Sequence, residues 1–195
     1  MKVKICGVTN QEDAVLCEES GADAIGFVNV PGRKRSIALE DIAAICATLG
    51  PLTAKVLVCE PEDDEQAIGM CDMAGTDILQ THTLSPEQVS AVRGSGFSVI
   101  RAIRPDRAEA LRYRDSADAI LFEGGAPGTG EEYDYSSIPI DACPRAIIAG
   151  GLTPSNLDRA KSLGPYALDV SSGVERTHGR KDPELVRDFI RRCKA

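Results

Sequence analysis

Lys2-Val3-Lys4-Ile5-Cys6-Gly7-Val8-Thr9-Asn10 opens the chain and holds a complete strand-to-helix handover. Lys2, Lys4 and Cys6 alternate with Val3 and Ile5, the two-residue period of a strand, and Gly7 stops the run. Asn10, with Asp13 three positions on, supplies the cap and N3 acid of a helix that continues through Glu19. Lys4 and Cys6 therefore share a face, with the thiol at the strand end, where a parallel α/β protein meets its ligand.

The same unit recurs along the chain. Apolar runs at 2–6, 24–30, 54–59, 77–80, 98–103, 118–123, 145–149 and 166–170 read as eight strands. Between them, 39–49, 64–73, 86–93, 107–114, 154–162 and 183–193 read as helices, several opening with Ser or Asp ahead of Pro or Glu. Eight βα units in 195 residues predict a compact (β/α)8 TIM barrel, one domain over 1–195 with no linker. The structural rival, an open doubly wound sheet, uses fewer strands and usually carries a glycine fingerprint after the first, which Cys6-Gly7-Val8-Thr9 lacks.

Composition narrows the function classes. With a net charge of −8 the chain would repel nucleic-acid phosphates, and the run Glu60-Pro61-Glu62-Asp63-Asp64-Glu65 reads as a solvated loop and helix start. The start lacks a signal-peptide pattern and no apolar run approaches membrane-spanning length, so a cytoplasmic protein with a small-molecule partner is expected, without nucleic acid or membrane. No oligomeric state follows from these features. The other six cysteines, Cys17, Cys46, Cys59, Cys71, Cys143 and Cys193, form no CxxC pair and have no His at ligand spacing, so no metal is expected; the odd total argues against a disulfide framework. On composition alone Cys6 reads as one more buried thiol.

Chemistry in a barrel is sought at the C-terminal strand ends. After the seventh strand stands Ala149-Gly150-Gly151-Leu152, and after the eighth Asp169-Val170-Ser171-Ser172-Gly173. Gly150 and Gly151 with Ser171, Ser172 and Gly173 are expected to bring backbone N–H groups to a phosphate. At the sixth strand end Glu123 shares parity with Leu121 and points into the barrel, as a general acid or as the ion-pair partner of a neighbour such as Lys4. Cys6 is its natural partner as general base, its thiol pKa expected to fall by about a unit or more beside a cation such as Lys4. A thiolate there could alternatively attack carbon. Pro31-Gly32-Arg33-Lys34-Arg35-Ser36 offers an Arg fork for a substrate carboxylate, or a solvated turn. His82 is placed at the mouth as a hydrogen-bonding group or a strand-end cap.

Taken in order, Lys4-Ile5-Cys6-Gly7-Val8-Thr9, Gly26-Phe27-Val28, Gln80-Thr81-His82, Gly128-Thr129-Gly130 with Tyr133-Asp134-Tyr135, Ala149-Gly150-Gly151-Leu152, Asp169-Val170-Ser171-Ser172-Gly173-Val174-Glu175 and Gly179-Arg180-Lys181-Asp182 resemble the phosphoribosylanthranilate isomerases of tryptophan biosynthesis from end to end. The resemblance implies a barrel that rearranges N-(5-phosphoribosyl)anthranilate to the carboxyphenylamino deoxyribulose phosphate without a cofactor. It implies Glu123 as general acid at the ring oxygen, Cys6 as general base at C2, Arg35 at the anthranilate carboxylate, Asp169 as a polar group at the eighth strand end, and the Gly150-Gly151 and Ser171 to Gly173 amides at the phosphate. The sequence departs from the family pattern at Glu123, where Asp is usual, at Tyr135 for Trp, at Thr81 and Thr83 flanking His82, at Asn29, and at Pro127 for Gly. The rival functions are a phosphosugar isomerase of histidine biosynthesis, expected to use two Asp at the first and fifth strand ends, and a phosphosugar-binding barrel without catalysis.

Overall fold

The computed structural model describes residues 1–124 and 133–195; Pro127 and the Gly128-Thr129-Gly130 motif lie outside the described residues. Eight parallel strands close into a barrel in chain order: β1 (Lys2–Cys6), β2 (Ala24–Asn29), β3 (Ala54–Cys59), β4 (Ile78–Thr81), β5 (Ser98–Ile103), β6 (Ala119–Glu123), β7 (Ala146–Ala149) and β8 (Ala167–Val170). The ring closes between β8 and β1, where Lys4 lies level with Asp169. The predicted eight strands are all present, with ends shifted by a residue at most.

The outer layer carries α1 (Gln11–Glu19), α2 (Leu39–Cys46), α3 (Asp64–Ala74), α4 (Pro86–Gly94), α5 (Arg107–Tyr113), α6 (Leu157–Lys161) and α7 (Pro183–Lys194). Local chemistry starts them as expected: the Asn10 side chain accepts from the Asp13 N–H at 2.9 Å, and Ser85 with Gln88 forms a complete capping box. The helix predicted at 154–162 is shorter. Asn156 accepts from the Thr153 N–H and donates to the Gly151 carbonyl, both at 2.8 Å, so Thr153 to Asn156 form a turn and α6 begins at Leu157. Two short 3₁₀ turns, Tyr135–Ser137 and Ile140–Ala142, precede β7. A hairpin of β9 (Glu175–Thr177) and β10 (Arg180–Lys181), unforeseen from the sequence, follows β8.

Period two divides the apolar side chains between two cores. Val3, Ile5, Ile25, Phe27, Leu57, Leu79, Val99, Ile120, Phe122, Ile148 and Leu168 pack outward against the helices. Cys6, Val56, Val58, Ile100, Ala102, Leu121, Ile147 and Ala149 fill the barrel interior. At the opposite, N-terminal end three aspartates each bind the preceding strand: Asp23 accepts from Val3 N–H, Asp77 from Lys55 N–H and Asp118 from Val99 N–H, at 2.8–2.9 Å. That end is stitched for stability and leaves the C-terminal mouth for chemistry. No helix among the described residues is long and apolar enough to cross a membrane.

Candidate active site

A cavity of about 800 Å³ opens at the C-terminal mouth and is lined by Cys6, Val28, Arg35, Val58, Gln80, His82, Glu123, Gly150, Gly151, Asp169, Ser171 and Ser172, among others. Of the ten residues singled out from the sequence, nine line this cavity. Gly173 stands beside it: a Cβ there would come within 1.8 Å of the Leu152 carbonyl oxygen, so the β8 loop rests directly on the β7 loop.

The two loops form a concave surface of backbone. Gly150 and Gly151 both have positive φ, +92° and +64°, a geometry glycine adopts without strain. The Tyr135 hydroxyl donates to the Gly150 carbonyl at 2.7 Å, so the residue standing where the family pattern has Trp braces this turn. Ser172–Val174 is a 3₁₀ turn whose opening N–H groups precede any bond within the turn.

Cys6 ends β1 inside the barrel and is 9% exposed. Lys4, one pleat below and buried, donates to Asp169 at 2.9 Å. Burial opposes its charge, but Asp169, with Cys6 beside it, raises the Lys4 pKa above the ordinary lysine range. Gly26 makes room for this group: a Cβ there would stand 2.9 Å from the Cys6 Sγ and 3.1 Å from the Lys4 Nζ. The expected lowering of the thiol pKa is not what the structure gives. Burial pushes the Cys6 thiol up, Lys4 pulls it down, Asp169 pushes it up again, and the net shift is upward. Lys4 is shared with a carboxylate that sequence spacing did not pair with it, and that carboxylate, not Glu123, is its ion-pair partner.

Glu123 points into the mouth level with Ala149, half-buried, with Leu121 below it in the interior and Phe122 on the helix side. His82 also faces the cavity, and burial lowers its pKa below the usual imidazole range, favouring the neutral ring. Arg35 is at the mouth, but its fork already holds the Glu175 carboxylate, Nε and Nη2 each donating at 2.8 Å. Its neighbour Arg33 approaches Glu60 at 3.7 Å across the rim.

Two participants escaped the sequence reading. Lys181 is fully buried, and its ammonium donates to the Cys6 carbonyl at 2.7 Å, the Ser171 carbonyl at 3.1 Å and Glu175 at 3.0 Å. Glu175 thus joins Arg35 to Lys181 and, through Lys181, the end of β1 to the β8 loop. The Lys181 main chain is fixed by its N–H donating to Asp13 at 3.0 Å. A lysine in a charged tetrapeptide reads as solvated, and its partner Glu175 lies across a hairpin that leaves no local signal in the sequence.

An eight-stranded parallel barrel with a carboxyl, a thiol and two glycine-containing loops around one C-terminal cavity defines a β/α-barrel enzyme. The model of the N-(5'-phosphoribosyl)anthranilate (PRA) isomerase family matches residues 3–192. The N-(5'-phosphoribosyl)anthranilate isomerase of Rubrobacter xylanophilus is 37% identical, over 100% of this chain and 99% of that one. The crystal structure of the Thermus thermophilus enzyme superposes with a TM-score of 0.90 at 39% identity, covering 100% of this chain and 98% of the other. A second isomerase structure, in complex with reduced 1-(o-carboxyphenylamino)-1-deoxyribulose 5-phosphate, gives 0.88 at 35% identity, with the same coverage. The chain belongs to the N-(5'-phosphoribosyl)anthranilate isomerase family.

Proposed function

We propose that Glu123 and Cys6 are the acid and base with which this chain rearranges N-(5-phosphoribosyl)anthranilate to 1-(2-carboxyphenylamino)-1-deoxyribulose 5-phosphate. The observation that carries the reading is that both line one cavity with the paired β7 and β8 loops, so a sugar whose phosphate sits on those loops is reached by thiol and carboxyl together. Protonated Glu123 gives its proton to the ribose ring oxygen as the arylamine lone pair opens the ring to an iminium. The Cys6 thiolate then removes the proton on C2, forming the enolamine, which tautomerises to the ketone by protonation at C1. Each transfer is worth roughly 10²–10⁴-fold in rate. Glu123 stands half-buried at the rim, one methylene longer than the Asp usual in the family pattern.

Asp169 serves in this reading by holding Lys4 at the thiol. The β7 and β8 loop amides take the phosphate. His82 donates or accepts as a neutral imidazole, and Arg35 offers the substrate carboxylate the edge of its guanidinium that Glu175 leaves uncovered. Cys6→Ala and Glu123→Gln are each expected to lose on the order of 10²-fold or more in kcat while still binding the reduced product analogue. Turnover by both variants at the parent rate would remove the assignment.

A further inference from the structure

Gln80 brings a buried amide oxygen to the mouth that no described residue satisfies. It ends the inward-facing residues of β4, is 4% exposed and lines the cavity. Its register neighbours are Val58 on β3 and Ile100 on β5, both apolar and both in the interior core. Its amide oxygen is fully buried and has no hydrogen-bond donor among the described residues. A buried acceptor left unpaired is destabilising, so its presence points to a donor that arrives with the ligand.

We infer that Gln80 binds the substrate by accepting the arylamine N–H at its amide oxygen; this rests on the reaction proposed above. The substrate's phosphate and carboxylate are acceptors and cannot satisfy that oxygen, which leaves the amine and the sugar hydroxyls. Position chooses between them. β4 stands opposite β8 in the eight-stranded ring, so with the phosphate end on the β7 and β8 loops the C1 end of the sugar points toward β4. Val28 and Val58 line the same side and supply an apolar wall for the aromatic ring. When the ring opens, the nitrogen becomes an iminium and its N–H a stronger donor. The bond therefore tightens as the reaction proceeds and favours the iminium over the ring-closed amine.

The test is a cycle between one side chain and one ligand atom. Wild type, Gln80→Met and Gln80→Leu are compared for binding of the reduced product analogue and of its aryl-ether counterpart, in which oxygen replaces the N–H. Melting temperature and turnover are measured on the same samples. Wild type is expected to favour the amine by about 10-fold or more, and both variants to lose that preference. Their kcat is expected to fall by about 10- to 100-fold, while the unliganded variants melt at or above the wild-type temperature because an unpaired buried amide has been removed. An amine preference that survives in the variants overturns the inference, and so does a clear drop in melting temperature, which would make Gln80 a structural residue. If wild type does not isomerise N-(5-phosphoribosyl)anthranilate, the underlying reading falls and this one with it; if it does and the variants match its kcat, this inference alone falls.

Discussion

At the scale of the residue, the ionisation of Cys6 is set by two charges, burial and a missing methyl group. Lys4 favours the thiolate, Asp169 competes for Lys4, burial favours the neutral thiol, and the bare Gly26 lets sulfur and ammonium approach the same point. Because burial dominates and the net shift is upward, the thiolate is a minor species at neutral pH, and the rate at which an alkylating reagent modifies Cys6 should climb as pH rises into the alkaline range. Asp169→Asn removes the carboxylate that raises the thiol pKa and leaves Lys4 acting on sulfur alone. Its rising limb is therefore expected at lower pH than that of wild type. Alkylation rates of the two proteins measured across pH check this, and an unmoved or upward-moved limb would contradict the charge assignment. The position of Cys6 was legible from the alternation Lys2, Lys4, Cys6 ending at Gly7. Its ionisation was not, because the decisive partner is 163 residues away, at Asp169, and desolvation leaves no mark in a sequence.

At the scale of the element, the β9–β10 hairpin is the clamp of the mouth. Glu175 starts it, Lys181 ends it, and together with Arg35 they tie the β2 loop, the end of β1 and the β8 loop into one charged network. Burial would raise the Glu175 pKa, but Arg35 and Lys181 outweigh it and hold the carboxyl below its ordinary value. A folded pKa below the unfolded one means that this stabilisation is full above about pH 5 and is lost as pH falls through the carboxylate range. Glu175→Gln, which leaves two cations without their anion, should therefore cost about 3 kcal/mol or more at neutral pH, with the gap from wild type narrowing below about pH 4. Urea unfolding of the two proteins across pH 3–7 measures it; a pH-independent gap would show that the carboxylate charge is not the source. Strands and most helices were readable because period, caps and stops are local. The hairpin was not, since Glu175-Arg176-Thr177 and Arg180-Lys181 are charged and are held by pairing with Asp13, Arg35 and β1. Nor was the late start of α6, which Asn156 sets by bonding back to Thr153 and Gly151.

At the scale of the whole molecule, closing eight strands divides the seven cysteines into two populations that the sequence treats alike. Cys17, Cys46, Cys59, Cys71, Cys143 and Cys193 belong to the outer layer between strands and helices, whereas Cys6 belongs to the interior and lines the cavity. Burial pushes the Cys17 thiol up to about 12 and those of Cys46, Cys71 and Cys193 up to about 11, so these groups are both covered and protonated. Alkylation needs an accessible thiolate. In the native protein at mildly alkaline pH, iodoacetamide should therefore modify Cys6 first, and the bound reduced product analogue should slow that reaction. The remaining six require the helices to part from the barrel, and their labelling should follow the rate of global unfolding across a denaturant series. Intact-mass and peptide mapping over time distinguish the two classes. Early labelling of an outer-layer cysteine would show that the helix layer opens locally while the barrel stays closed, and Cys6 labelling indifferent to the analogue would place the ligand elsewhere than over β1.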